Sequence, residues 1–161
     1  MKTFNLNSDE WDVTRDREGW RRKGVGVGER IGGELIGATM SEVEPGSRLW
    51  PYHTHYLNEE WVIVLRGEPT LRTPEGEHVL NEGDVVCFPQ GKSGAHQIIN
   101  GTDSPIRVLM LSSMIRGEII EYSWAAAAVP SSPLSACSRT GSWSPGSRGL
   151  GFRSRRAWIG S

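Results

Sequence analysis

Two histidines separated by one residue, in His53-Thr54-His55, are the side chains of this sequence best suited to chemistry. Side chains on a strand alternate between its two faces, so both imidazoles converge on one side if this segment is extended. Two carboxylates follow in Asn58-Glu59-Glu60, and His96 begins a later predicted strand that antiparallel pairing could bring to the same place. Neutral imidazole with carboxylate is a borderline ligand set that suits Fe, Mn, Ni, Zn or Cu. These residue types therefore predict a transition-metal site.

Two spaced motifs contain these residues. The first runs from Gly46 through His53, His55 and Glu60 to Gly67, and the second runs from Gly83 through Pro89, Gly91 and His96 to Asn100. In this order, and with a 15-residue spacer (68–82) between them, they resemble the two cupin motifs. The first has six rather than five residues before its histidine pair, and the second has four rather than two residues before its histidine. From about Leu35 to Ser113 the chain resembles a small single-domain bacterial cupin, a conserved barrel protein of the cupin 2 type.

The resemblance implies an all-β fold, a double-stranded β-helix or jelly-roll barrel, with a metal inside its mouth. It also implies that the ligands are His53, His55, Glu60 and His96. Three histidines and one carboxylate leave about two open positions on an octahedral ion, where substrate, water or dioxygen can bind. The predicted cofactor is a divalent transition metal, Fe, Mn, Ni or Zn.

The carboxylate ligand has two candidates in the sequence. Strict strand alternation from His55 favours Glu59, which is four residues further on. The six-residue gap to Gly67 in the family pattern favours Glu60, and a bend at 56–58 would reset the alternation. We therefore predict Glu60 as the ligand and keep Glu59 as the alternative.

The resemblance leaves the activity open between two classes. The first is a metal-dependent enzyme acting on a small organic substrate, of the dioxygenase, isomerase or lyase type. The second is a non-catalytic module that binds or senses a small molecule or a carbohydrate. The sequence contains no DNA-binding helix pair, and we expect no nucleic-acid partner. Weak candidates for orienting substrate or moving protons flank the predicted ligands: Arg48, Tyr52, Tyr56 and Gln97.

The residues that must position this site form short runs with strand character, separated by Gly- and Pro-containing breaks. No window of 11 or more residues holds a helical period, and seven strands at this spacing favour a sandwich or a barrel. The predicted strands are 34–43, 60–66, 68–73, 78–80, 84–88, 95–100 and 105–112.

Residues 1–33 are polar and irregular, and we expect them to form an N-terminal arm outside the strands. If Glu60, Val62 and Val64 face the inside of the barrel, then Trp61, Ile63 and Leu65 face outward and need a cover. The arm or a second subunit could supply this cover. Because homodimers are common among cupins, we expect a homodimer.

The charge of the chain divides it into two parts. The formal net charge of the 161 residues is −1, yet all 19 acidic residues lie at or before Glu121. The first 122 residues carry −6, whereas residues 123–161 carry +5 from five arginines and are rich in Ser, Ala and Gly. Such a segment buries too little apolar surface to offset its ordering entropy. We expect a barrel domain at 34–122 and a low-complexity, disordered tail at 123–161. The composition of this tail is also the one that GC-rich DNA gives when it is translated in a shifted reading frame, so a frame shift is a second hypothesis for its origin.

The remaining composition favours a cytoplasmic location. The longest apolar runs are about six residues, far short of the roughly 20 that a membrane helix needs. The N-terminus lacks the apolar core of a secretory signal. Two cysteines build no disulfide framework, which is typical of a reducing compartment. We therefore expect no membrane partner, only a small-molecule substrate or ligand.

Overall fold

The computed structural model describes residues 1–123, which form eleven strands, one α-helix and a single turn of 3-10 helix at Lys92–Gly94. In chain order the elements are β1 (Val13–Arg15), β2 (Arg22–Gly26), α1 (Val27–Ile31), β3 (Ile36–Val43), β4 (His53–His55), β5 (Glu60–Arg66), β6 (Thr70–Thr73), β7 (Gly76–Val79), β8 (Val85–Phe88), β9 (Gln97–Ile99), β10 (Ile106–Ser113) and β11 (Ile120–Tyr122).

The strands form two layers, and every strand pair is antiparallel. One layer is a six-stranded sheet in the order β1-β2-β3-β10-β5-β8. The other layer contains the three-stranded sheet β7-β6-β9 and the two-stranded sheet β11-β4. An isolated bridge links His53 of β4 to His96, which directly precedes β9, and a second bridge links Arg48 to Ile99 of β9. The crossovers between distant strands give the double-stranded β-helix, or jelly roll, that the sequence predicts.

The main core lies between the two layers, because alternate residues of each strand face inward. In β5, Val62 and Val64 are fully buried, as the predicted alternation requires. They pack with apolar side chains from both layers, which are Val43, Leu49, Leu71, Leu80, Phe88, Ile98, Ile106, Val108 and Met110.

A second apolar cluster covers the outer face of the six-stranded sheet, where the arm packs. Val25 and Val27 are buried there with Met40 and Leu109. Side chains from both the arm and the sheet pack around these four, namely Phe4, Leu6, Trp11, Ala38, Ile63, Leu65 and Leu111. The arm thus covers two of the three outward-facing β5 side chains, while Trp61 remains 43% exposed.

The arm at 1–33 is more regular than the sequence predicts, because it contains the strands β1 and β2 and the helix α1. Strand β2 pairs with β3 along five residues, and β1 pairs in turn with β2. The run Gly24-Val25-Gly26-Val27-Gly28 has the composition of a flexible segment, but its two valines find an apolar surface on the sheet. Burial of these valines and the pairing with β3 outweigh the conformational entropy of the glycines.

Polar contacts fasten the arm at its start. The guanidinium of Arg107 on β10 donates to the backbone carbonyls of Leu6 and Ser8 at 3.3 and 3.0 Å and to the Asp9 carboxylate at 2.6 Å. The same guanidinium donates to Glu42 on β3 at 2.8 Å, and both of these side chains are buried. Arg107 therefore links the arm to the central strands β3 and β10 through a buried charge pair with Glu42.

Each of the seven predicted strand regions contains a strand, and the observed ends differ from the predicted ones by at most two residues. The described residues contain no helix that is long and apolar enough to cross a membrane. The predicted disordered tail, with its possible shift of frame, falls almost wholly on residues 124–161 and so lies outside the described residues.

Candidate metal centre

Strand β4 carries the first two predicted ligands. His53 and His55 alternate with Thr54, so their imidazoles lie on one face, with ring centroids 5.1 Å apart. Thr54 faces the other way, and its hydroxyl donates to the carbonyl of Gly91. Both imidazoles are largely buried.

The third histidine reaches the same place through backbone pairing. His53 and His96 donate their N–H groups to each other's carbonyls at 3.1 and 2.9 Å, which is an antiparallel bridge between segments 43 positions apart. The centroid of the His96 ring lies 4.5 Å from that of His53. The predicted pairing of the two motifs is thus present in the backbone.

The structure brings Glu60, and not Glu59, to the histidines. Glu60 Oε2 lies 3.2 Å from Nε2 of both His55 and His96, and 4.0 Å from Nε2 of His53. The Glu59 carboxylate instead accepts a hydrogen bond of 2.8 Å from the Trp61 indole. The irregular segment 56–59 between β4 and β5 resets the strand alternation, as the bend expected at 56–58 requires.

We refer to His53, His55, Glu60 and His96 together as the histidine–glutamate cluster. Ligand atoms of His53, Glu60 and His96 all lie within 4.8 Å of one another, and His55 approaches this group through its contact with Glu60. Nδ1 of His55 is buried and has no partner with hydrogen-bonding geometry among the described residues. The same holds for three buried atoms that face one another, Nε2 of His55, Nε2 of His96 and Oε2 of Glu60. Buried polar atoms are rarely left without a partner, and a bound metal ion would satisfy all three of these atoms.

The charges within the histidine–glutamate cluster depend on one another. Burial opposes the charged form of Glu60, but the adjoining imidazoles of His55 and His96 outweigh it and lower its pKa to about 2. Burial lowers the pKa of His53 to about 3, and the nearby His96 acts in the same direction. Burial lowers the pKa of His55, but Glu60 and Glu118 outweigh burial and raise it. At neutral pH Glu60 and His53 therefore have the protonation states that metal binding requires, and metal binding at His55 displaces the proton that these carboxylates favour.

The second ring nitrogen of each histidine faces an oxygen of the protein. Nδ1 of His53 lies 2.8 Å from the carbonyl of Pro51, and Nδ1 of His96 lies 2.9 Å from that of Gly94. A ring whose Nδ1–H donates to a carbonyl has the lone pair of Nε2 free for a metal. Nδ1 of His55 faces a side chain instead, with Glu118 Oε1 at 3.5 Å.

The weak candidates of the sequence have partners in the barrel wall. Tyr56 donates its hydroxyl to Glu121, and the Gln97 amide donates to the carbonyl of Trp50 at 2.8 Å. The Arg72 guanidinium lies 4.9 Å from the ring centroid of Tyr52. Arg48 pairs through its backbone with Ile99 and donates its N–H to the Gly19 carbonyl at 2.9 Å. These contacts position the four residues in the barrel wall, and their roles in orienting substrate or moving protons stay predictions.

Three residues near the cluster were missed by sequence reasoning. The Tyr122 ring centroid lies 5.7 Å from that of His53, and Phe88 stacks on His96. Burial, together with the charge of Glu60, raises the pKa of Tyr122. Both Tyr122 and Glu118 belong to the sequence 118–122, which the motifs do not contain, and only the pairing of β11 with β4 brings it to the histidines.

The comparisons with known proteins agree with this architecture. The model of the Cupin domain family matches residues 39–112, which contain all four members of the histidine–glutamate cluster. A germin-like protein of rice (Oryza sativa) is 32% identical over 115 residues, which is 66% of this chain and 51% of the rice protein. The chain thus spans about half the length of this curated relative.

Two solved structures are similar to the chain in both fold and sequence. One is a sugar phosphate isomerase of the cupin superfamily from Silicibacter pomeroyi, with 31% identity, a TM-score of 0.61, and coverage of 63% of this chain and 65% of that one. The other, from Acidithiobacillus ferrooxidans, is named for a proposed sugar phosphate isomerase activity. It has 29% identity and a TM-score of 0.61, and the match covers 65% of this chain and 66% of that one. The chain spans slightly less than two thirds of each of these proteins.

Proposed function

The chain belongs to the cupin superfamily, and from this premise we propose that it is a metal-dependent enzyme acting on a small organic substrate. The proposal assigns the histidine–glutamate cluster as the binding site of one divalent transition ion, Fe, Mn, Ni or Zn. It rests on the chemistry of the cluster and on the similarity to proteins named as isomerases.

The observation that carries the proposal is the set of buried atoms without hydrogen-bond partners. Nε2 of His55 and His96 lie 3.2 Å from Oε2 of Glu60, yet none of these three buried atoms makes a hydrogen bond of acceptable geometry with the described residues. Leaving such groups unsatisfied costs about 1–3 kcal/mol each, and more for a charged carboxylate. A divalent ion accepts all of these donor atoms at once, which offsets that cost. Imidazole nitrogen and carboxylate oxygen are also the ligands that this group of metals prefers.

When bound, the ion supplies a Lewis-acid centre with about two positions open to substrate or water. The residues around the cluster provide the remaining functions. The phenol of Tyr122 is protonated at neutral pH and lies beside His53, so it is available as a proton donor. Phe88 covers one face of His96 and keeps water from that side.

Among reaction classes, we place isomerisation of a phosphorylated sugar first. The support for it is the similarity, at about 30% identity, to the Silicibacter pomeroyi and Acidithiobacillus ferrooxidans proteins. Lewis-acid polarisation of a carbonyl, together with a nearby proton donor, suits an aldose–ketose interconversion. Dioxygenase and lyase reactions use the same open positions and remain part of the test.

The experiment is a turnover assay on protein reconstituted separately with Mn(II), Fe(II), Ni(II) and Zn(II). Phosphorylated aldoses and ketoses are followed by NMR, and oxygen uptake is followed with a panel of small organic acids. We expect conversion of at least one substrate class, and its loss in Glu60→Gln, which keeps the size of the side chain. The control is His78→Ala, because His78 lies on the exposed strand β7.

Two outcomes would overturn the proposal. Turnover that persists in Glu60→Gln would show that the cluster is not the catalytic centre. Metal-loaded protein that binds a small molecule with a measurable Kd but converts none of the panel would favour the second class, a binding or sensor module.

A further inference from the structure

We propose that Glu118 is a positioning residue for the metal centre, which holds both the His55 imidazole and the turn that leads to Glu60. This inference rests on the proposed function, because it assigns Glu118 a role toward the metal ligands. Glu118 lies beyond residues 39–112, so it is outside the part of the chain that matches the family model.

The first contact of Glu118 is with the backbone of the turn. Its carboxylate accepts the N–H of Tyr56 at 3.0 Å, that of Leu57 at 3.2 Å, and that of Asn58. Three successive amides that converge on one carboxylate form an anion-binding concavity of the kind that backbone turns provide. Glu118 therefore fixes the conformation of these three residues.

This turn decides which carboxylate reaches the histidines. Regular alternation from His55 would direct Glu59, and not Glu60, toward the face that carries His55. The turn at 56–58 absorbs one step of the alternation, after which Glu60 faces the histidines and Glu59 contacts Trp61. The conformation of this turn therefore determines whether the Glu60 carboxylate faces the three histidines of the cluster.

The second contact of Glu118 is with His55 itself. Oε1 lies 3.5 Å from Nδ1 of His55, on the opposite edge of the ring from Glu60, whose Oε2 lies 3.2 Å from Nε2. His53 and His96 have backbone carbonyls in the corresponding position. His55 is thus the member of the cluster whose second nitrogen faces an ionisable side chain. Carboxylate partners of this type fix the tautomer and orientation of a ligating imidazole and strengthen it as a ligand.

The fold explains how one carboxylate makes both contacts. Glu118 shortly precedes β11, and β11 pairs with β4 so that Ile120 lies opposite His55. The side chain of Glu118 is largely buried, which strengthens its interaction with the ring and the three amides. Loss of the carboxylate would remove an acceptor from each of the three amides, of which Tyr56 keeps the Ile119 carbonyl at 3.1 Å. It would also remove the negative charge that faces Nδ1 of His55.

The test is a titration of the apo full-length protein with Co(II), followed by calorimetry and by the visible absorption spectrum. The variants are Glu118→Gln and Glu118→Ala, with Glu121→Gln as the control. Glu121 lies on the same segment and accepts a hydrogen bond from the Tyr56 hydroxyl, so the control removes a neighbouring carboxylate. Circular dichroism of each apo variant reports whether it folds.

We expect Glu118→Gln to fold, because its amide oxygen still accepts hydrogen bonds from the turn. Its Co(II) affinity should fall about 10- to 100-fold, the usual effect of losing a carboxylate behind a ligating histidine. The Co(II) absorption bands should also shift, which a purely structural role would not produce. Glu118→Ala should lose more affinity, and Glu121→Gln should match the wild type.

Wild-type affinity and an unchanged Co(II) spectrum in folded Glu118→Gln would overturn the positioning role and leave the metal centre standing. The same conclusion follows if Glu121→Gln loses affinity as much as Glu118→Gln. No uptake of Co(II) by the wild type would instead refute the proposed metal centre itself, and the positioning role with it.

Discussion

The phenyl ring of Phe88 lies parallel to the imidazole of His96, with ring centroids 3.7 Å apart and an interplanar angle of 8°. Phe88 is buried in the main core and lies opposite Glu60 across the β5–β8 pair. One aromatic side chain therefore contacts the apolar core on one side and the histidine–glutamate cluster on the other. The position of His96 is set by core packing as well as by its backbone bridge to His53.

Replacing Phe88 by Ala should lower the free energy of unfolding by about 3–5 kcal/mol, because it leaves a cavity in the core. Urea denaturation of the apo protein measures this change. Val85→Ala on the same strand is the control, because Val85 is 54% exposed and its truncation should change the stability by less than about 0.5 kcal/mol. Equal effects of the two substitutions would show that Phe88 is not packed as described.

The ion pair between Glu42 and Arg107 should make stability depend on acid pH. Burial raises the pKa of Glu42, but the hydrogen bonds from Arg107 and Lys23 outweigh burial and hold it below its usual value of 4.5. A carboxyl group whose pKa is lowered by folding stabilises the protein above its unfolded pKa, and this contribution is lost as the pH falls through the folded pKa. The contribution of Glu42 to the free energy of unfolding should therefore decrease as the pH falls below about 4.5.

At pH 7 the free energy of unfolding of Glu42→Gln should be about 3 kcal/mol lower than that of the wild type, because Arg107 loses a buried charged partner. The difference should narrow as the pH is lowered below 4.5, where the wild-type carboxylate becomes protonated. Urea denaturation at each pH measures this difference in the free energy of unfolding. The control is Glu82→Gln, because Glu82 is exposed and the substitution removes the same charge. A difference that stays constant across this range would contradict the pKa assignment.

Trp61 is the outward-facing residue of β5 that the arm leaves open, and it lies near the edge strand β8. We expect a homodimer that covers this surface, so Trp61→Ser should shift the protein toward monomer in sedimentation equilibrium at micromolar concentration. Val79→Ser is the control, since Val79 is also exposed but lies on β7 of the three-stranded sheet. A monomeric wild type at this concentration would refute the expectation.

Deletion of residues 124–161 should leave both metal affinity and thermal stability unchanged. The core, the arm contacts and the histidine–glutamate cluster all lie within residues 1–123. Calorimetric metal titration and the melting temperature of the shortened chain measure the two properties. A tenfold loss of metal affinity would show that the tail contributes to the site.

The sequence predicts those parts of the site that local patterns specify. Alternation places Val62 and Val64 in the core, and the histidine pair lies on one strand face because side chains alternate. The contribution of Glu118 could not be predicted in this way. It depends on the pairing of β11 with β4, which joins segments more than 60 positions apart. No local pattern around Glu118 indicates such a partner.

The arm illustrates a second limit of sequence reasoning. Glycine-rich composition around Val25 predicts flexibility, and only the tertiary surface offered by Met40 and Leu109 makes a strand favourable there. By contrast, the sequence favours Glu60 over Glu59 through the motif spacing, against the strict strand alternation from His55. The structure places Glu60 at the cluster because a turn lies between the two strands.

Metal content measured side by side in wild type, Glu59→Gln and Glu60→Gln tests the account most directly. Each protein is purified without chelator, and its metal is quantified by inductively coupled plasma mass spectrometry. We predict about one transition-metal ion per chain in the wild type and in Glu59→Gln, and a large loss in Glu60→Gln. A wild type without metal, or a loss in Glu59→Gln with retention in Glu60→Gln, would contradict the proposed centre.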